Sequence, residues 1–351
     1  MSRFWSPIVQ KLEPYIPGEQ PKQQTFIKLN TNENPWGPSP RALEAIAAAT
    51  GDALRLYPDP SASDLRASIA SSLQLTSDHI FAGNGSDEVL AHAFHAFFSG
   101  KAPILFPEIT YAFYPTYCKL YSIEHQLMPL GDDFRINPSD FAGTCGGVVI
   151  ANPNAPTGLA MPLEDIEAIL KANPDVVVLV DEAYIDFGGQ SAVQLVPDYD
   201  NLLVVQTFSK SRSLAGMRVG FGVGQPHLIE GLHRVKDSFN SYPLDRLSLA
   251  GALAAWEDTE WFEKTRDQIV ADREKLTENL QALDFTVLPS STNFIFASHA
   301  HVPAERLHAD LRDHGILVRY FKKEQINDWL RISIGTSEEC TTLVKVLRTM
   351  L

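Results

Sequence analysis

Gly147-Val-Val-Ile-Ala151, Val176-Val-Val-Leu-Val180 and Leu202-Leu-Val-Val-Gln206 are three short apolar runs within residues 147–206. Runs of this length, rich in valine and closed by polar clusters, read as strands buried on both faces. Each leads into residues with chemistry: Asn152-Pro-Asn-Ala-Pro-Thr-Gly158, Asp181-Glu-Ala-Tyr184, and Thr207-Phe-Ser-Lys210. Pro162 to Ala172 reads as a helix with proline in its first turn. Strands alternating with helices predict an α/β fold around a mainly parallel sheet flanked by helices. Ligands of such sheets bind beyond the carboxyl ends of the strands. Topology therefore gathers the three polar clusters at one place.

The third run continues as Thr207-Phe-Ser-Lys-Ser-Arg-Ser-Leu-Ala-Gly-Met-Arg218. A lysine closing a buried strand is unusual, because burying an unpaired ammonium is costly. A desolvated lysine loses its proton more readily and can attack a carbonyl to form a Schiff base. The surrounding hydroxyls and Arg218 are suitable partners for a phosphate. Lysine plus phosphate site suggests pyridoxal 5'-phosphate (PLP), which carries an aldehyde and a phosphate on one ring. Taken alone, the segment reads equally as a surface loop with a solvated lysine.

Upstream, residues 1–40 are rich in Pro, Asn and Gln and read as an extended, docked arm. Pro40–Ala49 and Ser63–Leu73 read as helices, the second with Ser63 as N-cap. Ile80-Phe-Ala82 reads as a strand, and Gly83-Asn-Gly-Ser-Asp-Glu88 opens a helix to Phe98. A glycine-rich turn into a helix offers free N–H groups to an anion, although Asp87 and Glu88 would repel one. Ser86 or Asn84 acting as a plain helix cap is the structural alternative. Tyr111 is placed at the start of the next helix, where it could stack on a flat ring or serve as a core tyrosine. Downstream, residues 246–283 carry helical periodicity without proline. Four short strands follow, with helices at 303–313 and 337–349, predicting a smaller α+β domain. The expected division is an arm at 1–45 joining the small domain, a large domain at 46–245 and a small domain at 246–351.

The 351 residues are 44% hydrophobic and carry a formal net charge of -14. That balance disfavours nucleic acid and anionic membranes as partners. An anionic substrate would need a local cationic pocket. Cys118, Cys145 and Cys340 form neither a disulfide framework nor a zinc pattern, and read as packing residues in a reducing cytoplasm. No signal peptide, bilayer-spanning run or metal-ligand spacing is expected.

The set Asn-Pro-Asn-Ala-Pro-Thr-Gly, Asp-Glu-Ala-Tyr, Thr-Phe-Ser-Lys and Arg331-Ile-Ser-Ile-Gly-Thr336 resembles fold-type I, PLP-dependent aminotransferases in order and spacing over nearly the whole chain. Leu29-Asn-Thr-Asn-Glu-Asn-Pro35, Tyr57-Pro58 and Asp181-Glu-Ala-Tyr-Ile-Asp-Phe187 resemble the branch acting on L-histidinol phosphate.

The resemblance implies residue roles. Lys210 would be the Schiff-base lysine, Asp181 the partner of the pyridine nitrogen and Tyr184 a partner of the ring hydroxyl. Tyr111 would stack on the ring. Gly85, Ser86, Asp87, Thr207, Ser209 and Arg218 would surround the phosphate, joined by Tyr57 from the second subunit of a homodimer. Arg319 and Arg331 would grip the anionic end of the substrate, and Tyr15 and Asn32 would close over it. The family commonly has an asparagine where this chain has Ala155, so Asn154 or Asn152 is expected to replace it, Asn154 being preferred. The implied reaction moves the amino group of L-histidinol phosphate to 2-oxoglutarate, giving imidazole acetol phosphate and glutamate. An aromatic amino acid aminotransferase, a threonine-phosphate decarboxylase and a catalytically silent scaffold of the same fold are the alternatives.

Overall fold

The structure is a computed structural model that describes residues 2–14, 19–20 and 26–351. In chain order the strands are β1 (Ile27–Lys28), β2 (Ile80–Asn84), β3 (Ile104–Pro107), β4 (His125–Met128), β5 (Gly147–Ala151), β6 (Val178–Asp181), β7 (Leu202–Thr207), β8 (Val219–Gly224), β9 (Phe285–Val287), β10 (Phe294–His299), β11 (Ile316–Leu317), β12 (Arg319–Tyr320) and β13 (Leu330–Ser333). The helices are α1 (Pro7–Lys11), α2 (Pro40–Ala49), α3 (Ser63–Ser72), α4 (Gly85–Phe98), α5 (Tyr114–Tyr121), α6 (Leu163–Ala172), α7 (Pro226–Phe239), α8 (Arg246–Glu257), α9 (Thr259–Gln281), α10 (Ala304–Asp313) and α11 (Ser337–Met350).

The three apolar runs form the middle of a seven-stranded sheet ordered β2-β8-β7-β6-β5-β3-β4. Only the pairings of β8, with β2 and with β7, are antiparallel. The strand faces separate by alternation, as a period of two requires. Val148, Ile150, Val178, Val180, Leu202 and Val204 pack into one core layer. Val149, Leu179, Leu203 and Val205 pack into the other. Both faces are covered by helices, which explains why these strands are apolar throughout rather than alternating. Register places Ala151 beside Asp181 and Asp181 beside Val205. The carboxyl ends of three neighbouring parallel strands are therefore level.

A four-stranded antiparallel sheet, ordered β12-β13-β10-β9, carries a separate core with α9, α10 and α11. The arm is tied to this part of the molecule. Strand β1 pairs in parallel with β11, and Ser333 N–H donates to the Leu29 carbonyl at 3.0 Å. Docking through β1 delivers residues 30–34 to the gap between the two sheets. Helix α8 begins at Arg246, where the expected second domain starts. Its Ala252 and Ala255 nevertheless share a core with Ala42 of α2 and Leu65 of α3. It is α9 that packs with the antiparallel sheet, through Ile269, Leu276 and Leu280.

Three local expectations change. Tyr111 precedes α5, which begins at Tyr114. Ser63 is the first residue of α3 rather than its cap, with the Asp59 carboxylate accepting from Ser61 N–H at 2.9 Å and Ser63 N–H at 2.6 Å. At the start of α4 neither Asn84 nor Ser86 caps with its side chain; the Glu88 carboxylate accepts from Asn84 N–H at 2.6 Å. The three cysteines are free and buried, and burial pushes the Cys118 thiol up to about 12, an unreactive state. Among the described residues no helix is long and apolar enough to cross a membrane, and no His, Cys, Asp or Glu group could hold a metal.

Candidate active site

A cavity of about 550 Å³ opens at the level carboxyl ends of β5, β6 and β7. Its lining includes Ser86, Asp87, Tyr111, Asp181, Tyr184, Thr207, Ser209, Lys210 and Arg218. At its inner end the buried Asp181 accepts from Tyr114 Oη at 2.8 Å and from Ala183 N–H at 3.2 Å. Burial pushes this carboxyl up to about 6, the two hydrogen bonds pull it down, and the Asp87 charge adds to the rise. Asp181 is thus a carboxylate near neutral pH with strong reason to seek a cationic N–H partner.

One wall is an anion cradle. The first-turn N–H groups of α4, those of Gly85, Ser86 and Asp87, have no acceptor inside the helix. Gly85 has φ +79°, and a Cβ there would stand 2.5 Å from Arg218 Nη2. Only glycine lets the helix terminus and the guanidinium approach this closely. Gly220 has the same function behind the wall, where a Cβ would stand 2.3 Å from Ser86 N. Thr207 Oγ1 donates to Ser209 Oγ at 3.0 Å and accepts from Ser209 N–H at 3.1 Å, fixing both hydroxyls at the turn. The Asp87 carboxylate receives Arg218 Nη2 at 3.0 Å and Tyr111 Oη at 3.0 Å. It therefore orients the guanidinium and the phenol through its two oxygens, while its N–H belongs to the cradle. Burial, then Asp87, drives the Tyr111 phenol far above its ordinary range, so it stays a neutral donor.

Lys210 follows Ser209 on the same turn and also lines the cavity. Its Nζ lies 3.5 Å from the Thr31 carbonyl and 5.7 Å from the Tyr184 ring centroid. Asn34 Nδ2 donates to the carbonyls of Lys210 at 2.9 Å and Ser211 at 3.3 Å, so the docked arm holds the lysine turn directly. Asn32 Nδ2 donates to Tyr184 Oη at 2.9 Å. Thr31 and Asn34 lie in the Leu29–Pro35 stretch but had no role assigned to them, and Tyr114 was not singled out. Tyr114 carried one signal, its place three residues after Tyr111 in an aromatic cluster.

A second cavity, of about 220 Å³, shares Thr31, Tyr111, Ala155, Tyr184 and Lys210 with the first and extends to Arg319 and Arg331. These two arginines are directly opposite in the β12–β13 pairing. Like charges at such a position destabilise a sheet. Aromatic rings partly offset this: the Arg319 guanidinium lies 5.5 Å from the Phe321 centroid, and that of Arg331 lies 5.4 Å from Phe294 and 5.8 Å from Phe321. Arg331 Nη2 also donates to the Asn30 carbonyl at 2.9 Å.

Three expected residues stand away from the cavity. Asn154 turns its amide to the Ile109 carbonyl at 3.0 Å and Thr157 Oγ1 at 3.1 Å. Asn152 spends its amide on Met161, accepting from N–H at 2.8 Å and donating to the carbonyl at 3.2 Å. Both asparagines hold the loop that follows β5, and the cavity wall they were expected to furnish is formed by Pro153 and Ala155. Tyr57 is 79% exposed and stacks on Tyr242, outside the cavity of its own chain. Tyr15 lies outside the described residues.

A strand-end lysine, a buried carboxylate and a helix-terminus anion cradle, set at the carboxyl edge of one parallel sheet, define a cofactor-dependent group-transfer site. The chain belongs to the aminotransferase class I and II family, whose sequence profile matches residues 24–347. Histidinol-phosphate aminotransferase of Acetobacter pasteurianus is 58% identical over 351 residues, covering 100% of this chain and 99% of that relative. Histidinol-phosphate aminotransferase 1 of Bordetella parapertussis is 56% identical, covering 99% of each. The solved histidinol-phosphate aminotransferase of Sinorhizobium meliloti in complex with pyridoxal-5'-phosphate aligns with a TM-score of 0.89 at 25% identity, covering 100% of this chain and 99% of that one. The fold is also that of aspartate aminotransferase from Thermus thermophilus, at a TM-score of 0.85 and 19% identity.

Proposed function

We infer that this enzyme transfers the amino group of L-histidinol phosphate to 2-oxoglutarate with PLP as cofactor, giving imidazole acetol phosphate and glutamate in histidine biosynthesis. The observation that carries the substrate is the Arg319–Arg331 pair, directly opposite across β12 and β13 in a cavity continuous with Lys210 and Asp181. Two facing guanidiniums suit a dianion better than a single carboxylate, since a phosphate has oxygens enough for both. The 56–58% identity to histidinol-phosphate aminotransferases over the full chain supports the same reading.

The cavity fits PLP at both ends. The cradle of Gly85, Ser86, Asp87, Thr207, Ser209 and Arg218 suits its phosphate, and the depth at which Asp181 lies suits its pyridine nitrogen. Bound there, PLP supplies an electron sink for the electron pair left when the substrate's α-proton departs. The chain's own residues do the rest. Lys210 Nζ anchors the cofactor and then carries the α-proton. Asp181 holds a proton on the ring nitrogen, and Tyr111 covers the ring face. Tyr184 donates to the ring hydroxyl. Arg319 and Arg331 hold the substrate phosphate, and Asn32, with Tyr15 of the arm, closes the site. A second copy of the chain brings Tyr57 to the phosphate cradle, making the enzyme a homodimer with shared sites, working in the cytoplasm. A large domain at 46–245 and a small domain at 246–351, whose first helix α8 leans on the core of the large one, with the arm joining the small domain, complete the reading.

The test is a half-reaction assay on purified, PLP-loaded protein, following the visible absorbance of the bound cofactor. L-histidinol phosphate, phenylalanine and phosphothreonine are offered separately. Rapid conversion by histidinol phosphate alone is expected. A comparable response to phenylalanine would make the enzyme an aromatic aminotransferase, and carbon dioxide from phosphothreonine would make it a decarboxylase.

A further inference from the structure

The Tyr184 hydroxyl accepts from Asn32 Nδ2 at 2.9 Å. A phenol has a single proton, and one that accepts from an amide keeps that proton for another partner. The polarity therefore depends on which end of the Asn32 amide faces Tyr184. The two ends are nearly alike in shape, so only neighbouring hydrogen bonds can decide.

Ser333 decides. Its Oγ accepts from Asn32 N–H at 2.8 Å and donates to Asn32 Oδ1 at 2.9 Å; a flipped amide would take away the acceptor of this buried hydroxyl proton, which is costly. With Oδ1 taken, Nδ2 must face Tyr184. Asn293 Nδ2 holds the Asn32 carbonyl at 3.0 Å. Asn32 has φ +55°, a left-handed conformation that asparagine tolerates better than most residues. Asn32, Asn293 and Ser333 are all buried, so water does not compete for these bonds.

We propose that Ser333 is a positioning residue that sets the direction of a hydrogen-bond chain, Ser333 to Asn32 to Tyr184, so that Tyr184 faces the cavity as a proton donor. The chain matters here because Ala155 contributes only a methyl group to the same cavity, while the amide N–H donors of Asn152 and Asn154 are given to Met161, Ile109 and Thr157. The inference rests on the reading that Tyr184 bonds the ring hydroxyl of PLP. A donor there stabilises the ionised ring oxygen and so lowers the pH at which the bound chromophore titrates.

The readout is the pH titration of the visible absorbance of the PLP-loaded protein, with no substrate and no turnover. Tyr184→Phe is expected to move the ionisation constant about tenfold, toward higher pH. Ser333→Ala is expected to move it in the same direction by about two- to fivefold. Ser333→Thr, which keeps the hydroxyl, is expected to restore the native titration. Ser333→Ala in the Tyr184→Phe background is expected to add nothing, because both act through one proton. Should Ser333→Ala fail to fold, Ser333→Cys retains the volume with a weaker donor and is expected to shift the titration by an intermediate amount. A native titration in the serine variants while Tyr184→Phe shifts would overturn the role of Ser333 and leave that of Tyr184. A native titration in Tyr184→Phe would overturn the placement of Tyr184 and the proposal with it.

Discussion

Tyr114 Oη donates a 2.8 Å hydrogen bond to Asp181 Oδ2 at the buried end of the cavity. Burial alone would push Asp181 toward its neutral form, and this bond opposes it. Tyr114→Phe keeps the ring packing against Phe94 and Phe106 but removes the donor. The Asp181 carboxyl should then titrate above its present value of about 6. The acid limb of PLP binding to the apoprotein should move up by roughly one pH unit, the worth of one charge-assisted hydrogen bond. Fluorescence titration of the apoprotein across pH 5–8 checks this, and an unmoved limb would remove Tyr114 from the site.

Gly85 is expected to be intolerant of substitution. Gly85→Ala adds a Cβ 2.5 Å from Arg218 Nη2 at a residue with φ +79°. The left-handed backbone costs about 1–2 kcal/mol for any L side chain, and Arg218 must swing away from the cradle. PLP affinity should fall at least ~10-fold, about one charge-assisted hydrogen bond. Equilibrium dialysis measures it, and native affinity would mean that the cradle is elsewhere.

Lys210→Ala should abolish transamination, a loss of ~10⁴-fold or more, with the fold intact. Among the described residues the Lys210 ammonium meets the Thr31 carbonyl and the Tyr184 ring, with the Glu33 carboxylate near enough to feel its charge, so no core packing goes with it. A thermal melt close to the native one, beside a dead half-reaction, is the expected pair of results. Turnover at the native rate would remove the mechanism.

Arg319→Gln separates function from stability. Removing one of two like charges directly opposite in the β12–β13 pairing should stabilise the apoprotein by ~0.2–1 kcal/mol. The same change should raise KM for histidinol phosphate about tenfold or more, through loss of a charge-assisted contact. A melt measured without substrate and a KM determination read the two effects. A rise in KM equal for phosphorylated and neutral amines would place the phosphate elsewhere.

Glu182 gives a pH dependence of known sign. It is buried beside Asp181 and accepts from Ser191 Oγ, Ala192 N–H and Gln206 Nε2. Burial nonetheless pushes its carboxyl up to about 7. Because the folded form binds this proton more tightly than the unfolded chain, its contribution is complete below pH ~4.5 and is lost as pH rises to about 7. Glu182→Gln cannot titrate, so the variant should gain on the native protein over that window, by up to roughly 3 kcal/mol. Urea denaturation at pH 4.5 and 7.5 reads the difference, and parallel behaviour of the two proteins would show that Glu182 is charged throughout.

The sheet was legible because a strand covered on both faces must be apolar at every position, and 147–151, 176–180 and 202–206 are. That Lys210 and Asp181 would line one cavity was legible because a charge that closes or follows such a strand is anomalous unless it has a use, and Arg218 because an arginine beside clustered hydroxyls suits an anion. Asn154 misled for a local reason. An amide in a proline-rich loop can face either side of it, and here the Ile109 carbonyl and Thr157 hydroxyl draw it from the cavity. Thr157 lies in the same loop, but the Ile109 carbonyl is 45 residues away and nothing within residues 152–158 records it. That α8 packs against α2 and α3 was not legible, because periodicity reports that a helix has an apolar face but not which layer covers it.

By itself, the sequence determined the parallel α/β core and the order of its chemistry-bearing turns, since these depend on local pattern and on strand alternation. Tertiary structure alone decided the contacts that span the chain. Arg319 meets Arg331 through antiparallel register, Asn34 meets the Lys210 turn because β1 docks beside β11, and Ser333 sets Asn32 from 301 residues away. Such contacts follow from how two sheets and an arm pack together, and packing depends on the sum of all surfaces rather than on the residues that finally touch.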